Sequence, residues 1–213
     1  MNIFENKEIA QQYDSYYQTE LGKKIDILEK NLIKSLLCLP NQGSTFLEVG
    51  CGTGHWTAYF SELGYDITAV DISDAMLEIA QIKKIKRTKF VKADVQNLPF
   101  HNEQFDVVAS ITMLEFVNNI ESAINEMFRV LKHDGWLILG CLNLHSPLGK
   151  NKANDPTFKD AHFFTKEELY SLLSIWGEPI IKETVYFDEF FRLKEQGEEG
   201  AFLGVAIQKT KML

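Results

Sequence analysis

The sequence lacks the long apolar runs and paired cysteines that mark several large classes of protein. None of its apolar runs approaches the ~20 residues that cross a bilayer, and the amino terminus has no apolar signal core. The three cysteines, at positions 38, 51 and 141, are far apart and form no metal-binding or redox spacing. We therefore expect a cytoplasmic protein with reduced thiols, no bound metal and no membrane partner.

Positive charge is also scarce. Over 213 residues, 22 lysines and arginines stand against 30 aspartates and glutamates, which gives a net charge of −8. The one dense basic run, at 83–89, is short and is typical of a solvated helix end or loop. We therefore expect no nucleic-acid partner. A hydrophobic content of 45% is typical of an ordered globular protein, and the length fits one domain.

Short apolar runs alternate with amphipathic stretches along the chain. Five runs are typical of strands, at 45–49, 67–70, 89–93, 105–110 and 136–141. Helical spacing of apolar residues precedes the first run, over 18–38, and recurs between the others. Two last runs, 179–187 and 201–209, predict a closing hairpin. Such an alternation predicts an α/β fold, with a parallel sheet and helices on both faces.

Residues 46–54, Phe-Leu-Glu-Val-Gly-Cys-Gly-Thr-Gly, form an apolar strand that runs into alternating glycines. Glycine lets a ligand approach the backbone closely, and ligands of open α/β sheets bind at the carboxyl ends of strands. Two interpretations compete, a dinucleotide site and an S-adenosylmethionine site. The dinucleotide fingerprint requires a third glycine at position 55, which is His55 here. A nicotinamide-dependent oxidoreductase is therefore the weaker interpretation.

With its acid, the run Glu48-x-Gly50-x-Gly52-x-Gly54 resembles the first motif of the class I S-adenosylmethionine-dependent methyltransferases. Further segments are similar to later motifs of that family. They are Asp71 after the second strand, Asp94-Val95 after the third, 105–108 with 114–117, and the turn at 130–136. In that turn the family's proline and second glycine are replaced. The resemblance is closest over 45–141 and is strongest to the small-molecule branch often called type 11.

The resemblance implies a Rossmann-like, doubly wound sheet of seven strands, mostly parallel, with an antiparallel last strand. A single methyltransferase domain would span residues 1–213. Within it, 1–43 would be an N-terminal helical lid segment and 44–141 the cofactor-binding core. Residues 142–213 would form the acceptor side and the closing hairpin.

The resemblance also assigns residues to S-adenosylmethionine. Glu48 and the backbone of the first two glycines would face its methionine end. Asp71 would accept hydrogen bonds from the ribose hydroxyls, and Asp94 with the backbone of Val95 would meet the adenine. The expected cofactor-binding set is Tyr13, Glu48, Gly50, Cys51, Gly52, Asp71, Ile72, Asp94, Val95 and Ser110. We assign Gly54 to the turn and to helix packing, and Cys51 to packing rather than to nucleophilic attack.

The methyl donor is already a strong electrophile, so transfer to a small-molecule acceptor is an in-line displacement that leaves S-adenosylhomocysteine. Alignment of the acceptor can supply ~7–11 kcal/mol of the barrier. An acceptor with a protonated oxygen or nitrogen would also need a general base. The candidates are Glu115, His145 and His162, each of which has a structural alternative; we expect His145 to face the acceptor. A non-catalytic S-adenosylmethionine-binding protein is the alternative from another class.

Overall fold

A computed structural model of the chain describes residues 3–37 and 44–210. Within these residues the helices are α1 Lys7–Tyr13, α2 Glu20–Leu36, α3 His55–Glu62, α4 Asp74–Ile82, α5 Ile120–Val130, α6 Pro147–Asn151 and α7 Lys166–Leu173. The strands are β1 Thr45–Val49, β2 Asp66–Asp71, β3 Thr88–Lys92, β4 Phe105–Ile111, β5 Leu131–Leu142, β6 Ile180–Thr184, β7 Tyr186–Phe187, β8 Leu193–Lys194 and β9 Phe202–Gln208.

Seven of these strands form one sheet, in the order β3-β2-β1-β4-β5-β9-β6. The strands from β3 to β5 pair in parallel, whereas β9 is antiparallel to both of its neighbours, β5 and β6. This confirms the predicted Rossmann-like sheet with an antiparallel last strand. The predicted closing hairpin is also present as the β6–β9 pair, but a small ribbon of β7 and β8 is inserted between its two strands.

The central strands are mostly apolar and buried because helices cover both faces of the sheet. Phe46 of β1 packs into a cluster with α2 and α3, while the next residue, Leu47, packs into a second cluster with α5. Val107 and Val108 of β4 divide between the same two clusters. Burying each such side chain contributes about 1.5–3 kcal/mol, so the two clusters hold the strand ends in a fixed arrangement.

Strand β5 begins earlier than the predicted run at 136–141. Leu131 pairs with Phe105 and Trp136 with Val107, so the intervening residues of β5 bulge out of the ladder. Asp134 in this bulge has a φ of +61°. The bulge corresponds to the turn at 130–136 that resembled a family motif.

Part of the prediction for the first long helix lies outside the described residues. Helix α2 ends at Leu36. The predicted helix end at Pro40 and Gly43, and Cys38, belong to the stretch 38–43, which the structure does not describe. The other two cysteines, Cys51 and Cys141, are buried free thiols. Within residues 3–37 and 44–210 there is no helix long and apolar enough to cross a membrane.

Candidate active site

The glycine loop, residues 50–54, leaves the carboxyl end of β1 and leads into α3. Gly50 has a φ of +76°, in the left-handed region that side chains rarely adopt. A β-carbon at this position would also lie 2.1 Å from Cγ of Met113, which packs directly on the bare backbone. Both the conformation and this contact therefore require glycine. Gly54, with a φ of +81°, lies close to Ala80 of α4, as expected for a packing role.

Asp71, the last residue of β2, points its carboxylate toward the glycine loop. Its Oδ2 accepts a hydrogen bond from the amide of Gly52 at 2.8 Å, and its Oδ1 accepts one from the amide of Ser73 at 2.8 Å. Burial raises the pKa of Asp71, and hydrogen bonds from the amides of Ser73, Gly52 and Ile72 offset part of that rise. The carboxylate is thus fixed in one orientation at the edge of the pocket.

Behind the glycine loop lies the buried carboxyl of Glu48, which is 2% exposed. Its Oε2 accepts a hydrogen bond from the hydroxyl of Thr57. Burial raises the pKa of Glu48 to about 8. Cys51 is buried beside it, and burial raises the pKa of this thiol well above its usual value. A thiol that keeps its proton is a poor nucleophile, so its surroundings favour the packing role for Cys51.

A cavity of about 190 Å³ opens between the carboxyl ends of β1, β2, β3 and β4. Seven of the predicted cofactor-binding residues line it, namely Tyr13, Gly50, Gly52, Asp71, Ile72, Asp94 and Val95. They come from the carboxyl ends of three neighbouring strands, from the loops that follow them and from the end of α1. The structure therefore brings most of the predicted set together around one space.

Three predicted cofactor residues, Glu48, Cys51 and Ser110, are not among the lining residues of this cavity. All three are buried. The hydroxyl of Ser110 finds no hydrogen-bond partner among the residues that the structure describes. It lies in β4, one residue before Ile111, which does line the cavity.

Sequence reasoning missed several lining residues. Those after β4 include Thr112, Met113, Phe116, Val117 and Asn118, and Phe4 comes from the amino-terminal part of the chain. The position of the loop after β4 was a usable signal, because all parallel strands open toward the same edge. Phe4 belongs to the segment 1–43 that was expected to be a lid, but nothing in the sequence singled out this residue.

Two of the three candidate bases are neighbours, since the amide of His162 donates a hydrogen bond to the carbonyl oxygen of Glu115 at 2.7 Å. Oε1 of Glu115 accepts a hydrogen bond from the amide of Leu142 at 2.7 Å, and burial raises the pKa of this carboxyl to about 7. His145 is exposed after β5. Nε2 of His162 lies 2.7 Å from a carboxylate oxygen of Glu168. None of the three is among the residues that line the cavity in the described part of the chain.

Comparison with known proteins gives three consistent matches. A profile described as a methyltransferase domain matches residues 47–139. An uncharacterized protein of Methanocaldococcus jannaschii is 33% identical, over 98% of this chain and 100% of its own length. A crystal structure from Thermotoga maritima, described as a SAM-dependent methyltransferase and possible histamine N-methyltransferase, superimposes with a TM-score of 0.77. It is 30% identical, and the match covers 95% of this chain and 97% of that one.

For a relative with a named acceptor, the match spans a smaller share of that relative's length. The demethylmenaquinone methyltransferase of Staphylococcus epidermidis is 33% identical over 68% of this chain, and the match spans 60% of that enzyme. The acceptors named for these two relatives, histamine and demethylmenaquinone, differ in size and polarity. The similarity to these proteins therefore does not identify the acceptor of this chain.

Proposed function

Since this chain belongs to the S-adenosylmethionine-dependent methyltransferases, we propose that it methylates a small-molecule acceptor bound at the cavity between the ends of β1 and β4. The enzyme uses S-adenosylmethionine as its methyl donor and releases S-adenosylhomocysteine. Relatives with small-molecule acceptors support the acceptor class. The buried free thiols Cys51 and Cys141 support a reducing, cytoplasmic location.

The observation that carries the proposed site is the contact between Asp71 and Gly52 at 2.8 Å. It puts a fixed carboxylate next to bare glycine backbone. The carboxylate can accept hydrogen bonds from the two ribose hydroxyls, and the glycine backbone leaves room for the adjoining methionine portion of the cofactor. Asp71 would bind the ribose, and Asp94 with the amide of Val95 would bind the adenine. Glu48 and the backbone of Gly50 would hold the methionine end. The lining residues fit the ribose and the adenine, whereas Glu48 would have to meet the methionine end from behind the glycine loop, because it does not line the cavity.

The bound cofactor supplies an activated methyl group. The contribution that we propose for the chain is to align the acceptor and to exclude water. Phe4, Met113, Phe116 and Val117 give the cavity an apolar wall suited to that task. An apolar or aromatic acceptor would fit this wall. A base role for Glu115, His145 or His162 stays a prediction, to be tested by the turnover of each alanine variant with the acceptor.

Calorimetric titration with S-adenosylhomocysteine and NADH tests the site. We expect S-adenosylhomocysteine to bind and Asp71→Ala to weaken it about 10- to 100-fold, because a hydrogen bond to a charged group contributes about 1.5–3 kcal/mol. Asp74→Ala is the matched control. Asp74 is exposed, only three positions further on, and pairs with Lys92 on the surface. Binding of NADH in place of S-adenosylhomocysteine, or equal effects of the two variants, would contradict the proposal.

A further inference from the structure

The N-terminal segment, residues 3–18, lies across the mouth of the cavity. It consists of a short turn at Ile3–Glu5, helix α1 and a second turn at Tyr16–Gln18. Two of its side chains, Phe4 and Tyr13, line the cavity. The ring of Phe4 packs edge-on against Phe116 of the opposite wall, with the ring centroids 4.9 Å apart. The segment therefore bridges the loops after β2 and β4.

One side chain of this segment, Asp14, contacts the glycine loop itself. Its Oδ1 accepts a hydrogen bond from the hydroxyl of Thr53 at 2.6 Å, and its Oδ2 lies 2.6 Å from Nζ of Lys83. Thr53 stands between two glycines of the loop and is 1% exposed. The side chain of Lys83 remains 30% exposed. Nζ of Lys83 also lies 3.4 Å from the hydroxyl oxygen of Thr53, so the three side chains form one cluster in which the threonine is the buried member.

Two further contacts of the N-terminal segment end at cofactor loops. The ring of Tyr17 stacks on His55, which follows the glycine loop, with centroids 3.6 Å apart and planes 7° from parallel. The hydroxyl of Ser73, after β2, donates to the carbonyl oxygen of Phe4 at 2.8 Å. The segment can therefore leave the cavity only by giving up contacts with the loops that surround it.

We propose that Asp14 is a positioning residue that holds the N-terminal segment on the glycine loop, and that the cofactor enters and leaves only when this contact opens. The inference rests on the proposed function of the cavity. Opening separates the Asp14 carboxylate from a buried hydroxyl donor, so the contact favours the closed arrangement. Removing the carboxylate raises the population of the open arrangement, and both the entry and the exit of the ligand become faster.

Stopped-flow measurement with S-adenosylhomocysteine tests this role, with the tryptophan fluorescence of the protein as the signal. We expect Asp14→Ala and Thr53→Val to raise the association and dissociation rate constants together, by about tenfold, while Kd stays within threefold of wild type. Thr53→Ser is the matched control, because it keeps the hydroxyl that Asp14 accepts, and it should behave as wild type. Thermal unfolding of each variant shows whether the fold is retained.

Two results would overturn the inference. One is that the association and dissociation rate constants of Asp14→Ala both stay within twofold of the wild-type values. The other is a faster dissociation with unchanged association, which would mean that Asp14 only shapes the glycine loop. Thr53→Val gives the same comparison if Asp14→Ala fails to fold. If the wild-type protein does not bind S-adenosylhomocysteine, both the proposed cofactor site and the role of Asp14 are wrong. If it binds but the Asp14→Ala rate constants do not change as expected, only the role of Asp14 is wrong.

Discussion

The hydroxyl of Thr57 in α3 donates a hydrogen bond to Oε2 of Glu48 in β1, where both side chains are buried. Burial raises the pKa of Glu48 to about 8, the hydrogen bond from Thr57 opposes the rise, and the charge of Asp71 adds to it. The raised pKa favours the protonated form of this carboxyl near neutral pH. Glu48, which would bind the ammonium of the cofactor, therefore gains its negative charge only when the pH rises or when the bound ammonium favours loss of the proton.

Cofactor affinity should consequently rise with pH. The ammonium favours the ionised form of Glu48, so binding below pH 8 is coupled to the loss of one proton. We expect Kd for S-adenosylhomocysteine to fall by up to about tenfold per pH unit between pH 6 and 7.5. Calorimetry at four pH values in this range measures the slope, and Glu48→Gln should remove it.

The variant Thr57→Val supplies an internal check of this prediction. The hydrogen bond from Thr57 lowers the pKa of Glu48, so its loss should raise that pKa further and move the affinity profile to higher pH. A flat profile in the wild type, or a slope that survives in Glu48→Gln, would show that another group is responsible.

Thr112, which lines the cavity after β4, has a φ of +48°. A β-branched residue in the left-handed region stores about 1–3 kcal/mol of strain, which exceeds the entropic cost of glycine. We expect Thr112→Gly to raise the free energy of unfolding by about 1 kcal/mol in urea titrations. Thr88→Gly, in the ordinary backbone of β3, should lower it instead. A loss of stability in Thr112→Gly would show that the surroundings relieve the strain.

Lys209 is buried beyond β9 and closes the carboxyl end of α5. Its Nζ donates to the carbonyl oxygens of Phe128 and Leu131 at 2.9 and 2.8 Å. Lys209→Met keeps the side-chain volume but leaves both carbonyls without this donor, so we expect the free energy of unfolding to fall by about 2 kcal/mol. Lys86→Met, at an exposed position, should change it by less than about 0.5 kcal/mol. Equal unfolding midpoints for the two variants would refute the capping role.

Much of the fold could be predicted because its signals are local. Strand β1 was expected at 45–49 and is found at Thr45–Val49, since a short run rich in apolar residues is what burial on both faces of a sheet selects. The prediction that Asp71 and Asp94 lie near each other also needed no coordinates. Each follows a parallel strand, and parallel strands end at one edge.

The candidate site was predictable only where its residues belong to such strand ends. Glu115 illustrates the limit. It was one of three candidate bases, and that role stays a prediction, but its carboxyl accepts a hydrogen bond from the amide of Leu142 and the residue does not line the cavity. Sequence spacing places the backbone of a short turn but does not fix the direction of a side chain, because that direction depends on which polar groups other elements bring nearby.

The sequence by itself therefore determined the alternation of elements, the glycine loop and the acids at the strand ends. Periodicity, glycine conformation and strand direction are properties of neighbouring residues in the chain. Only the tertiary structure decided that Phe4 meets Phe116 and that Asp14 accepts the hydroxyl of Thr53. These partners are distant in the chain, and their contacts exist because packing of α1 against α4 carries the N-terminal segment back over the glycine loop.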